Sequence, residues 1–334
     1  MPIRCAYVIL YGVPGVSRRL AITLRIAAIA VIGACLWWFI RKLDWDKLGT
    51  DLGHAKVWPL VIAVGLNFVC LWGKAACWHI MLAPKHLVKT LRLFRITVAA
   101  FAASAITPAR AGEVLRVWSL KRRDGVPAAD TAAVAVAEKL LDGMTMLILV
   151  APVPWLLPGI PSWVEIGMLI CATIAIVLFI ALYIAVGRVN NQTAGTGSFF
   201  TRFIAGMHVL RDPKRLLWSL VPLFLVWFAD LGAVMLVMYA VGIDVPVAAG
   251  LLVLFTLNVT IMVPSTPAQV GAFEVGALAG CKVIGIAEEP ALAFALIYHA
   301  LQVVPLIVAG FALELRLVLG LEQQQDTSVA PAKS

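Results

Sequence analysis

Charge is what this sequence has least of. Asp, Glu, Lys and Arg together make up 13% of its 334 residues, about half their share in an ordinary soluble domain. So few charges cannot coat a water-facing surface around a chain that is 62% hydrophobic, which excludes a soluble enzyme, a disordered chain and a coiled coil. The chain also has no GxSxG, no Walker loop, no HExxH and no Gly-rich dinucleotide fingerprint, so no hydrolase, ATPase, metalloprotease or dehydrogenase signature is present. Any net pumping would need an ion gradient or a partner. Its six cysteines (Cys5, Cys35, Cys70, Cys77, Cys171 and Cys281) form neither a CxxC pair nor a zinc-spaced Cys/His cluster; they read as small hydrophobes. No cofactor and no metal site is expected.

What is present is apolar length. Mean hydropathy is +0.96, and a bilayer core of about 30 Å needs roughly 20 apolar helical residues. Residues 20–40, 57–82, 163–186, 217–241 and 291–313 meet that need. A sixth segment, 131–150, is long enough but carries Glu138, Lys139 and Asp142. Two shorter stretches, 91–106 and 247–263, run into Thr107-Pro108 and Pro264-Ser265-Thr266-Pro267; proline ends each of them. The expected fold is therefore an all-α polytopic membrane protein, about six spanning helices plus two re-entrant helical segments, with eight crossings as the alternative. A cytoplasmic segment 1–19 leads into one membrane domain over 20–316, followed by a polar tail 317–334. Ile32-Gly33-Ala34-Cys35 loosely resembles a lipoprotein cleavage box. The apolar run continues past it to Arg41-Lys42, as a retained span would.

Loop charge orients the six spans. The segments 1–19, 83–130, 187–216 and 314–334 hold 19 of the 27 basic residues, against 5 on the opposite side. Basic loops stay cytoplasmic, so both termini are expected there. The formal charge of +9 suits anionic lipid headgroups and calls for no nucleic acid. The tryptophans at 37, 38, 58, 72, 78, 155, 163, 218 and 227 read as an interfacial belt.

The chain also repeats itself. Thr107-Pro108-Ala109-Arg110-Ala111-Gly112-Glu113-Val114 recurs as Thr266-Pro267-Ala268-Gln269-Val270-Gly271-Ala272-Phe273-Glu274-Val275, each copy after an apolar stretch and between long spans. Under the six-span topology the two halves, about 57–186 and 217–315, enter from opposite faces. That is an inverted repeat, with a site expected near the midplane; a shared Thr-Pro helix start is the plainer alternative.

Ionisable residues inside spans are costly and need partners. Glu138 and Asp142 lie four apart on one helix face and repel unless a cation sits between or opposite them, while Lys139 points elsewhere. Arg110, Glu113 and Arg116 are spaced three apart, so the arginines flank Glu113. Arg110 or Arg116 paired with Glu138 or Asp142 is the structural reading; the functional one gives the arginines a lipid phosphate. Asp230 lies mid-span, and His299 and Gln302 share a face with which they could meet Asp230 and Glu274. His299 reads first as an interhelical hydrogen bond and second as a proton relay.

Three of these stretches carry a family resemblance. Pro108-Ala109-Arg110-Ala111-Gly112-Glu113-Val114-Leu115-Arg116, then Arg122-Arg123-Asp124-Gly125-Val126-Pro127, then Glu138-Lys139-Leu140-Leu141-Asp142 resemble the signature of the flippase-like family named for the transmembrane part of lysylphosphatidylglycerol synthase. Pro267-Ala268-Gln269-Val270-Gly271-Ala272-Phe273-Glu274 echoes that family's Pro-Gly-Gly-x-Gly-x-x-Glu motif, with Ala268 and Gln269 in place of two glycines and Lys139 where arginine is common. The resemblance implies a bacterial or archaeal plasma-membrane protein that moves or handles lipids. It implies a headgroup site from Arg110, Glu113, Arg116, Glu138, Lys139, Asp142, Gln269 and Glu274, with Asp230, His299 and Gln302 as secondary polar positions. About 20 residues follow Leu313, too few for the synthase's soluble aminoacyl-transfer domain, so aminoacylation is not expected. With no catalytic motif no other enzymatic activity is expected either, a membrane-embedded enzyme acting on lipid headgroups being the third reading. Expected partners are membrane lipids with anionic headgroups, and a second copy or a lipid- or glycan-modifying enzyme. The alternative to a translocase is a non-transporting accessory subunit.

Overall fold

A computed structural model describes residues 56–83, 85–107, 111–188, 199–262 and 267–318, and all regular structure in them is helical. The expected cytoplasmic segment 1–19, the span 20–40 with its lipobox-like stretch, Arg110 and the polar tail beyond residue 318 lie outside these residues. Among the described residues, four helices are long and apolar enough to cross a membrane: α1 (Val57–Leu82), α6 (Ser162–Arg188), α8 (Pro213–Ala240) and α11 (Glu288–Val318, broken at Glu314). At 1.5 Å per residue the 26 residues of α1 reach about 39 Å, enough for the hydrocarbon core. The charged segment forms α4 (Ala128–Val150), whose 23 residues are long enough to span but whose charges keep it out of that apolar set.

The two proline-ended stretches form α2 (Thr90–Ile106) and α9 (Val247–Ile261), each followed by a short helix, α3 (Ala111–Asp124) and α10 (Ala272–Val283). The order long–short–short–long thus occurs twice, as α1–α2–α3–α4 and α8–α9–α10–α11. Between the halves come α5 (Val153–Leu156), α6, α7 (Phe199–Gly206) and a 3₁₀ turn at Met207–Arg211. Local chemistry sets several ends. Asp212 caps α8, accepting a hydrogen bond from the Arg215 amide at 3.2 Å ahead of Pro213 at the first helical position. The α3–α4 turn passes through Gly125 at φ 68°.

Each half has its own apolar core. One gathers Trp78, Met81, Leu93, Ile96, Leu120 and Leu141 from α1–α4; the other gathers Val234, Leu252, Phe255, Phe294 and Tyr298 from α8–α11. They are joined where α1 packs on α8 and α2 on α11. Close approach is bought with glycine: a Cβ on Gly73 of α1 would lie 3.0 Å from the Pro222 carbonyl oxygen and 2.7 Å from Val226 Cγ2 of α8. Gly276 and Gly280, four apart on α10, do the same against α9, where added Cβ atoms would fall 2.7 Å from Leu257 Cα and 2.8 Å from Val253 Cα. Small residues one turn apart let helix backbones meet in membranes. In contrast, α6 is apolar all round and shows most of its surface outward, as a helix facing lipid does.

Candidate functional site

Between the two halves lies a cavity of about 550 Å³. It takes walls from α1, α2, α3, α4, α8, α9, α10 and α11 and from the 3₁₀ turn Pro267–Gln269, and Lys74, Arg116, Glu138, Asp142, Asp230 and His299 all line it.

Its first-half wall is an ion cluster. Glu138 of α4 is 2% exposed and accepts hydrogen bonds at Oε2 from Trp78 Nε1 (2.5 Å) and Arg116 Nη1 (3.2 Å). Asp142, one turn further along α4, accepts from Lys74 Nζ at Oδ2 (2.8 Å), and the same ammonium lies 3.6 Å from Glu138 Oε1. Lys74 is the cation that the Glu138/Asp142 spacing demands, supplied by α1 and not by the arginines alone. Arg116 also lies over the Trp78 ring, its guanidinium carbon 3.5 Å from the ring centroid, so one aromatic ring satisfies a cation with its face and an anion with its edge. Trp227 Nε1 donates to the Asp142 carbonyl oxygen at 3.0 Å. Trp78 and Trp227 are therefore buried members of the site, which corrects their assignment to the interfacial belt. They were misread because an indole near a span end serves either use.

The cluster is paired yet incomplete. Arg116 Nε and Nη2, Glu138 Oε1 and Asp142 Oδ1 are buried with no hydrogen-bond partner. Buried polar atoms are rarely left so, and these four belong to residues that line the cavity.

Glu113 has only one of its two expected flanking arginines, Arg116, within the described residues. It is 46% exposed and pairs with Lys139 at 3.2 Å, linking α3 to α4 at the open side of the cavity. Gly112 beside it carries the closer constraint: an added Cβ would collide with the Ala100 carbonyl oxygen of α2, and its amide donates to Ser104 Oγ at 3.1 Å.

The second half has two polar groups, Asp230 in the cavity wall and Glu274 held behind it by the wall residue His299. Asp230 of α8 accepts at Oδ1 from the Tyr298 hydroxyl (2.5 Å) and Gln302 Nε2 (3.2 Å). Glu274 of α10 meets His299 Nδ1 at 2.5 Å through Oε1 and accepts from the Gly271 amide at 2.6 Å through Oε2. His299 Nε2 lies 2.8 Å from the Ala268 carbonyl oxygen, and its ring stacks on Phe273 with centroids 4.3 Å apart. The shared faces expected for His299 and Gln302 are thus present. Gln269 lines the cavity from the loop. Ala268 and Gln269 adopt φ of 52° and 64°, the left-handed region that glycine enters freely and other residues enter at about 1–2 kcal/mol. These are the two positions where the motif ordinarily carries glycine.

Asn67, Asn258, Lys74 and Trp78 are site residues that sequence reasoning did not select. Lys74 alone gave a signal, as a basic residue inside a span.

A polytopic helical membrane protein with an ionised cavity between two similar halves is the class these features define. The chain belongs to the family of the lysylphosphatidylglycerol synthase TM region, which matches residues 25–310. No curated protein and no solved structure matches it. Among the described residues, no group of three or more His, Cys, Asp or Glu side chains is placed to hold a metal ion.

Proposed function

We propose that the protein is a lipid translocase, passing the headgroup of a phospholipid or lipid-linked glycan through the cavity between its halves. The observation that carries this reading is the buried, unpartnered polar edge of Arg116, Glu138 and Asp142. A guanidinium with two free N–H directions suits a phosphate, and two free carboxylate oxygens suit hydroxyl or ammonium groups. A volume of about 550 Å³ falls within the range of small-molecule sites, about 300–1,000 Å³. The acyl chains would trail in the bilayer beside the protein.

Orientation belongs to the same proposal. With 20–40 and α4 as further crossings, α1 and α8 run in opposite directions and the two halves form an inverted repeat, the architecture of alternating access. The loop-charge bias supports cytoplasmic termini, and membership of the family supports a bacterial or archaeal plasma membrane. Arg110 would join the headgroup site from the residues just before α3, and no catalysis is assigned to the chain.

The test is leaflet exchange of fluorescent lipids in proteoliposomes, read by external quenching, with wild type beside Arg116→Lys and Glu138→Gln. Arg116→Lys keeps the charge but loses the planar fork. Lipid-selective exchange that falls in both folded variants supports the reading. Exchange by neither wild type nor variants, with or without a pH or sodium gradient, favours the accessory role, in which the same charges only hold α1, α3 and α4 together.

A further inference from the structure

We propose that His299 and Glu274 form a binding site for a single proton, and that the bound proton latches the left-handed loop Ala268–Gly271 to α11. Hydrogen count alone carries the argument. The Ala268 carbonyl oxygen can only accept, so His299 Nε2, 2.8 Å away, must carry a hydrogen. Glu274 Oε2 accepts from the Gly271 amide, leaving Oε1 to face His299 Nδ1 at 2.5 Å. A hydrogen must lie between those two atoms, on either one. The observed geometry therefore holds one proton more than a neutral imidazole beside a carboxylate.

Removing that proton breaks the bridge whichever way the imidazole adjusts. If the remaining hydrogen stays on Nε2, the Nδ1 lone pair confronts the carboxylate. If it moves to Nδ1, the Nε2 lone pair confronts the Ala268 carbonyl oxygen. One of the two contacts must open, and the loop at Ala268 and Gln269 is already strained toward relaxing once released. The proton exchanges with water in the cavity, which His299, Ala268 and Gln269 all line.

The charged neighbours that share the cavity have partners of their own. Asp230 of α8 shares the cavity wall and favours the bound proton, but is held by Tyr298 and Gln302. Lys74 of α1 opposes it and is committed to Asp142 and Glu138 of α4. Helix α9 brings no titratable residue, α10 brings Cys281 and Lys282 besides Glu274, and α2 brings Arg92 and Arg95, bound to Asp124 and Glu314. Phe273 covers the imidazole face.

The latch does not depend on which molecule uses the cavity, so its test is separate from lipid exchange. Hydrogen–deuterium exchange is followed on peptides covering 267–275 in the detergent-solubilised protein between about pH 5 and 9, the range of histidine switches, and corrected for intrinsic exchange. Wild type should lose loop protection roughly tenfold or more as pH rises, the factor expected for losing a charge-assisted hydrogen bond. Glu274→Gln should hold the loop protected at every pH: its amide N–H donates to Nδ1, its oxygen accepts from Gly271, and Nε2–H still reaches Ala268. His299→Ala should leave the loop unprotected throughout. Loop protection independent of pH in wild type would overturn the proposal. So would a pH dependence in Glu274→Gln equal to that of wild type, and this arm decides even where His299→Ala does not fold.

Discussion

Replacing Lys74 by methionine removes the cation that, among the described residues, touches both Glu138 and Asp142 of α4. Its ammonium is 2.8 Å from Asp142 and 3.6 Å from Glu138, with both acids nearly out of water at 13% and 2% exposure. At an effective dielectric constant of about 20, the shorter contact alone is worth about 6 kcal/mol by Coulomb's law. Desolvation of the lysine offsets much of that, and truncating one partner of a buried pair costs about 3–5 kcal/mol net. The exposed pair Lys139–Glu113, at 3.2 Å and 43% and 46% exposure, is the internal control; Lys139→Ala should cost no more than about 1 kcal/mol. Reversible unfolding in mixed micelles measures both. Because Lys74 and Arg116 balance Glu138 and Asp142, the double variant Lys74→Met/Asp142→Asn should recover about half or more of the loss, a coupling that neighbours sharing one network show. A Lys74→Met cost as small as that of Lys139→Ala, or no recovery in the double variant, would refute the claim that the cluster is charge-balanced and buried.

Three further outcomes follow from local geometry. Gly112→Ala should separate α3 from α2, because its Cβ would occupy the place of the Ala100 carbonyl oxygen, and should cost about 1–3 kcal/mol in the same unfolding assay. Ala268→Gly and Gln269→Gly should each stabilise by about 0.5–1 kcal/mol, the relief of left-handed strain less the entropy glycine adds to the unfolded chain. Asp212 is held below the usual carboxylate range, first by the hydrogen bond from the Arg215 backbone amide. A lowered folded value means its contribution is present above the unfolded carboxylate range and is lost as pH falls through the folded one. The stability difference between wild type and Asp212→Ala should accordingly vanish on acidification and persist at neutral pH.

The helices were legible because apolar length and proline write them plainly. Span 57–82 coincides with α1, and 217–241 with most of α8, since bilayer thickness fixes the length and Pro213 the start. The Arg116–Glu138 contact was legible for a different reason: a charge in a span must find an opposite one. What the sequence hid was partnership across long separations. Lys74 and Asp142 are 68 residues apart, and nothing local to either shows that α1 and α4 bring them together. Trp78 was hidden because its edge and face are used at once. For Glu113, periodicity sets which face of α3 it occupies but does not show that Lys139 of α4 comes within 3.2 Å of it. The strain at Ala268 and Gln269 was half visible, as a departure from a glycine pair, and only the backbone shows that the departure keeps the glycine conformation.

The central claim is that the cavity is the route of a headgroup, and blocking it without touching its charges tests that most directly. Gly143 of α4 lines the cavity, and a Cβ built on it meets nothing within 4 Å, so Gly143→Trp can fill the space while the Lys74–Glu138–Arg116 cluster stays paired. Leaflet exchange in proteoliposomes should fall to the protein-free rate, with unfolding stability unchanged or raised. Exchange at the wild-type rate through a folded Gly143→Trp protein would contradict the account.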